Sequence, residues 1–416
     1  MHRYKIVGLV KTVKIRMTEA VLSVIINYMS NQERKTVLDL PLKIVLSEEG
    51  TTVFIKQNKK LTKFKLADNV DEYGLLLDKF VPAAIQRLLL IDYISKIEIS
   101  RPEFVSRRQE VMDLCKLIVY SLLYRQFNNM LFSKILASDV IKKWNRTNPA
   151  SIIDEKTKFN DTFLQNYLKE QEKQVYELRE EILAPIRTAI TRNSNLLPEE
   201  KNIQLFLSEK FLNNLRSVIW FILIKFRGVE HFDNLIKDIR IMMAEFIEKS
   251  RIAEYVALMV IELAVNAENA NLRREAANLY RGAVDANAVL FDQNIRMRVI
   301  EELTKKNDLV YVSWKIGGTS SSIGTQGKLQ ITLYNKEGEY QVIKDSIDSK
   351  KSADLKKKSL FDFYKEIPEG SADTELGLYY LSYLNEACEK VGVKFESLVS
   401  QIKSSDTTII TLSFYL

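Results

Sequence analysis

The chain has 416 residues, 46% of them apolar, which supports several buried cores and excludes an intrinsically disordered protein. Its 61 basic and 54 acidic residues leave a net charge of +7 spread over mixed-sign faces, so neither nucleic acid nor a membrane is demanded as a partner, and neither is expected. Two cysteines, Cys115 and Cys388, exclude a disulfide framework, and the most apolar run, Val218 to Lys225, is too short to span a bilayer.

Glycine and proline are scarce, 13 and 7 residues, as in a largely helical chain. Met1 to Lys14 carries charge throughout and lacks a secretory pattern, so a cytoplasmic protein is expected. Tyr4 to Ile15 alternates like a half-buried strand, and Thr18 can cap a helix running to Met29. Thr36 to Leu46, Thr52 to Gln57 and Leu61 to Leu66 read as strands, with a turn at Glu48-Glu49-Gly50. Residues 1–68 are therefore predicted to form a small α+β domain.

From Asp71 to about Arg251 the pattern is helical with few breaks. Leu75, Leu76, Phe80, Ile85 and Leu88 recur at helical spacing, and Arg101-Pro102 marks a stop and restart. Asn145 to Pro149 is a polar linker. Phe163 to Arg192 reads as one charged helix with Pro185 inside it, Leu196-Leu197-Pro198 as a break, and two further helices as running from Pro198 to Phe226 and from Val229 to Lys249. Residues 69–150 are expected to be a helical region and 151–250 a helical, coiled-coil-like stalk that forms a homodimer. After Asp308 the composition shifts. Leu309 to Ile316 and Leu329 to Tyr334 form a predicted hairpin, Glu375 to Val391 an amphipathic helix, and Val393 to Ile402 and Thr407 to Phe414 closing strands. The fold class is α+β.

Glu262 and Asn266 lie four residues apart in Met259-Val-Ile-Glu-Leu-Ala-Val-Asn-Ala-Glu268, hence on one helix face. An amide oxygen suits Mg²⁺, and a carboxylate one turn away can act as a base. Taken alone, this spacing is common on solvated helices.

Further pieces follow in order. They are Leu329-Gln-Ile-Thr-Leu-Tyr-Asn-Lys-Glu-Gly338, Leu360-Phe-Asp-Phe-Tyr-Lys365, Gly370-Ser-Ala-Asp-Thr-Glu-Leu-Gly-Leu378 and Asp406-Thr-Thr-Ile-Ile-Thr-Leu412. Together with Glu-Leu-Ala-Val-Asn-Ala, they resemble the motifs of the GHKL superfamily, the ATP-binding module of histidine kinases and their relatives, over about residues 254–416. The resemblance implies a histidine kinase-like ATPase domain at 251–416, an α/β sandwich whose mixed sheet carries the Glu262–Asn266 helix and the Leu378–Lys390 helix on one face. It implies ATP and Mg²⁺ as cofactors, Glu262 as the base, Asn266 as the metal ligand, and nucleotide contacts at Asn266, Asn335, Gly338, Gly377, Leu378 and Thr408.

The chain departs from the family where the chemistry lies. Asn335 stands where the family has an aspartate that accepts from the adenine amino group, and Glu375 stands among the glycines of the phosphate loop, where its charge opposes a triphosphate. Lys356, Lys357 and Lys358, on the lid the resemblance implies, are expected to be an exposed flexible loop. Residues 269–306 are expected to be an extra helical insertion. His231, 35 residues before Asn266, leaves little room for the return helix of a phosphoacceptor hairpin and reads as an ordinary helix-surface residue. The reading that follows is a signalling protein with a degenerate nucleotide site that acts through protein contacts. An active Mg·ATP-dependent protein kinase and a purely structural helical adaptor are the alternatives.

Overall fold

The computed structural model describes residues 37–157, 159–317, 327–336, 384–402 and 407–416. The strand and helix expected before residue 30 lie outside them. Two units emerge: Ser121–Ser250, and Ile25–Tyr120 together with Arg251–Leu416.

The second unit is built on an eight-stranded sheet. In chain order its elements are β1 (Leu42–Leu46), α1 (Glu48–Lys56), β2 (Thr62–Lys65), β3 (Asp71–Leu77), α2 (Pro82–Leu90), β4 (Ile94–Arg101), the first part of α3 (Arg108–Leu136), then α10 (Ile252–Tyr280), α11 (Gln293–Lys305), β5 (Val310–Gly317), β6 (Lys328–Lys336), β7 (Lys394–Ile402) and β8 (Thr407–Tyr415). The strand order is β2-β3-β1-β4-β5-β6-β8-β7. Every neighbouring pair is antiparallel, which corrects the mixed sheet implied by the family resemblance. The β5–β6 hairpin and the closing strands β7 and β8 fall where the sequence puts them.

Three other expectations change. The segment read as a turn and a strand is the helix α1. Ser47 caps it by accepting from the Gly50 amide, and Glu48 and Glu49 sit in its first turn, where a helix favours negative charge. Gly50 is no turn residue. A Cβ there would meet the Tyr93 carbonyl at 2.5 Å, so glycine serves close packing. The helix expected from Asp71 is interrupted by β3 and β4. Leu75 and Leu76 mimic helical spacing only because α2, opened by Pro82, follows at once. β4 joins β1 to β5, so residues 42–101 and 310–415 share one sheet, across the boundaries expected at 68 and 251.

Period-two alternation divides the sheet into two faces. Ile97, Val312, Trp314, Ile331, Leu333 and Leu412 make one side apolar and buried, and α10 lies against it through Val260 and Leu263. Cys115 of α3 sits beside Trp314, and burial pushes its thiol up to about 12. Both cysteines are buried and free. The helix α11 packs on α10 through Leu272, Ala276, Val299 and Leu303.

The unit Ser121–Ser250 is helical. It holds the remainder of α3, then α4 (Asp139–Thr147), α5 (Asp161–Glu170), α6 (Glu172–Arg192), α7 (Pro198–Asn213), α8 (Ser217–Lys225) and α9 (Phe232–Ser250). The single helix expected over 163–192 is two, parted at Gln171. That expected over 198–226 is also two. The Asn128 amide donates to the Asn214 carbonyl at 3.0 Å and accepts from the Arg216 amide at 3.2 Å, replacing helical partners at the break. The apolar run is α8, whose residues Val218 to Ile224 are all buried, and Phe127, Phe211 and Phe246 cluster in the same core. Among the described residues no helix is long and apolar enough to cross a membrane.

Candidate functional site

The long helix α10 carries the Glu-x-x-x-Asn pair across the apolar face of the sheet. Glu262 is only 14% exposed in its side chain and forms an ion pair with Arg108 at the start of α3. A second pair, Lys116 to Glu254 at 2.6 Å, ties the same two helices farther along. Arg108 takes one oxygen of the Glu262 carboxylate, and the pair ties α10 to the start of α3.

Asn335 lies near the end of β6, 2% exposed, and its Nδ2 donates to the Ala267 carbonyl of α10 at 3.4 Å. Its register partner on β8 is Thr408, 1% exposed. Asn266, the neighbour of Ala267, is half-buried. Two residues singled out in the sequence, Asn335 and Thr408, thus stand side by side at the end of β6 and β8, and Asn335 reaches the backbone of α10 next to the third, Asn266. Neutral groups of this kind recognise a hydrogen-bonding edge and leave phosphate charge uncompensated. Gly338, Gly377, Leu378, Glu375 and Lys356 to Lys358 lie outside the described residues. Among those described, no group of three His, Cys, Asp or Glu side chains is placed to hold a metal ion.

Sequence reasoning passed over the next turns of α10, where Glu268, Asn271 and Glu275 repeat at helical spacing and are all buried. Glu268 Oε2 accepts from the amides of Phe104, in a bond shorter than usual, and Val105, at 3.2 Å, while Oε1 pairs with Arg296 of α11. The carboxylate thereby caps the turn Val105–Arg107 that leads into α3. Burial outweighs these contacts, and nearby Glu103 adds repulsion, so the Glu268 carboxyl is raised to about 7. Glu275 pairs with Lys306 at 2.7 Å, and Arg274 with Asp308 at 2.8 Å. The signal for this stripe was present in the sequence: two acids and an amide three and four residues apart among alanines, on a helix whose other face is apolar.

His231 is on no helix. It takes a left-handed conformation with φ of 67° in the turn before α9, 49% exposed and beside Glu230, which corrects the helix-surface reading.

Comparison with known proteins places the geometry in a family. The model of a family of unknown function, DUF8084, matches residues 33–416. An uncharacterized protein of Treponema pallidum (strain Nichols) is 42% identical over 387 residues, covering 93% of this chain and 100% of that one. No solved structure matches the chain.

Proposed function

The chain belongs to the DUF8084 family, and on that premise we propose that it is a cytoplasmic signalling protein with a degenerate, histidine kinase-like ATP-binding module, acting mainly through protein contacts as a homodimer. The observation that carries this reading is the convergence of Asn335, Thr408 and the Asn266–Ala267 turn of α10. These are the groups that the family resemblance assigns to nucleotide recognition, and they stand at one junction although they are separated by up to 142 positions.

The degenerate character rests on Glu262 and Asn335. Arg108 occupies the carboxylate that a kinase would use as its base. Asn335 spends an amide hydrogen on the helix backbone and offers no charge to an adenine amino group. Protein contact is supported by Ile203 and Phe206 of α7, apolar side chains 44% and 57% exposed one turn apart.

Calorimetry of the full chain with Mg·ATP tests the reading. Weak binding is expected, on the order of millimolar, abolished by Asn335→Leu and unchanged by Glu262→Gln, with no phosphate transferred to the chain. No heat at millimolar nucleotide would replace the nucleotide module by a structural adaptor. Turnover that Glu262→Gln removes would make the protein an active kinase.

A further inference from the structure

The face of the sheet turned away from α10 carries lysines, hydroxyl side chains and tyrosines over β4, β5, β6 and β8, with Leu76 and Leu398 exposed at its two ends. A row runs across it in register: Lys43, Glu98, Ser313, Thr332 and Thr411. Beside it lies a second row of Lys96, Lys315, Gln330, Ser413 and Glu396, and beyond that Lys328, Tyr415 and Lys394. On the other side of the first row, Tyr311 and Tyr334 are direct partners on β5 and β6.

Three acids on or beside the β4–β8 part of this face are engaged. Glu98 is fully buried and accepts from Lys43 and from the Ala67 amide, each at 3.1 Å. Asp68 pairs with Lys96 at 3.1 Å, and Glu396 with Lys394 at 2.7 Å. Lys315 is exposed and has no ion-pair partner among the described residues. Lys328 and Lys394 both stand 5.2 Å from the centre of the Tyr415 ring, one on each side of it across the strands. Positive charge is therefore left over, and it alternates with aromatic rings.

We infer that this outer face binds single-stranded nucleic acid, the bases stacking on Tyr334 and Tyr415 and the phosphates meeting Lys315 and Lys328. An antiparallel sheet suits a single strand, because aromatic side chains standing off it accept unpaired bases of any sequence and lysines between them track the backbone. Tyr334 faces Ile409 on β8, and from Ile409 to Tyr415 the strand advances about 20 Å at ~3.3 Å per residue. That distance accommodates several nucleotides of an extended strand. A duplex offers no free base to stack. A flat acidic protein would find the rings without a matching group, whereas an oligonucleotide carries both the ring and the anion at a regular repeat. Total charge alone does not demand nucleic acid as a partner, and the inference rests instead on where the lysines and rings stand on this face. The inference does not depend on the nucleotide module, which lies on the opposite face.

Fluorescence anisotropy of the full chain with a labelled twelve-nucleotide oligouridine in about 50 mM salt tests it. Binding in the micromolar range is expected, weakening steeply with added salt. Lys315→Glu with Lys328→Glu should weaken it at least tenfold and flatten the salt dependence. Tyr334→Ala should weaken it roughly tenfold while Tyr334→Phe leaves it intact, because the ring stacks and the hydroxyl does not. Lys210→Glu, on α7, should change nothing, and equal melting temperatures establish that the variants fold. Three results would overturn the inference: no binding at 100 μM protein (about the weakest affinity such a platform would show), equal affinity for a duplex of the same length, or indifference to all of the face variants.

Discussion

Glu268 is where a single residue decides most. It is fully buried, yet it holds two backbone amides at the entrance to α3 and the Arg296 guanidinium at once. Removing it leaves the Phe104 and Val105 amides and the Arg296 guanidinium without their shared acceptor, at the buried Phe104 above all. Glu268→Ala is therefore expected to cost about 3–5 kcal/mol, read as a drop in the urea midpoint. The carboxyl also titrates near neutrality. Unfolded, it loses its proton near 4.5; folded, it keeps it to about 7. Between those values the native state binds the extra proton, so this contribution is complete below 4.5 and is lost as pH rises through 7. Its full size is on the order of 3 kcal/mol. Stability to urea should fall from pH 5 to pH 8, and Glu268→Gln, which keeps an acceptor for the amides but has no proton to lose, should flatten most of that slope. Glu98, raised by burial in the same direction, accounts for a remainder. An unaltered slope in the Gln variant would show that the proton sits elsewhere.

Among the elements, α6 shows how an irregularity made by one residue is settled by another. Pro185 lies inside the helix and has no amide hydrogen, so the Glu181 carbonyl one turn earlier lacks its helical donor. Arg240 of α9 supplies one, from Nη2 at 2.7 Å. Proline and arginine are thus coupled although no sequence pattern links them. Arg240→Ala should cost about 1 kcal/mol in the parent chain and markedly less in a Pro185→Ala background, where the helix can close its own bond. Equal costs in both backgrounds would mean the arginine acts through packing alone. The proline itself was legible in the sequence, as was the break at Leu197-Pro198, because proline acts locally. The breaks at Gln171 and Asn214 were not. The second of these is set by Asn128, 86 positions away, whose amide replaces the missing helical partners. Elements bounded by local chemistry could be read, and those bounded by a distant side chain could not.

The same distinction governs the whole molecule. The strands β5, β6, β7 and β8 could be read because each pairs with a neighbour in a short stretch of sequence or closes the chain's end, and their alternation is clean. The strand β4 was missed although Lys96-Ile-Glu-Ile-Ser100 alternates, because that alternation is short beside the helical runs around it and its partners, β1 and β5, are about 50 and 215 positions away. For the candidate site, Asn266, Asn335 and Thr408 were each proposed from motif order, whereas Glu268 and Arg108 escaped because their meaning lies in contacts across the fold. This has a consequence for where the chain can be cut. Residues 251–416 look self-contained in sequence, but β5 would lose its six-residue pairing with β4, Glu268 its amides at Phe104 and Val105, and Glu262 its partner Arg108. An exposed edge of that length, backed by the apolar face that Ile97 and Ile99 otherwise continue, invites pairing with another chain. The fragment 251–416 is therefore expected to aggregate and to show no cooperative unfolding by circular dichroism. Co-expression with residues 37–120 should restore a soluble complex, because that segment returns the β4 edge and the start of α3 together. A soluble, cooperatively folding 251–416 fragment would show instead that half the sheet can close on its own and that β1 to β4 are an addition to it.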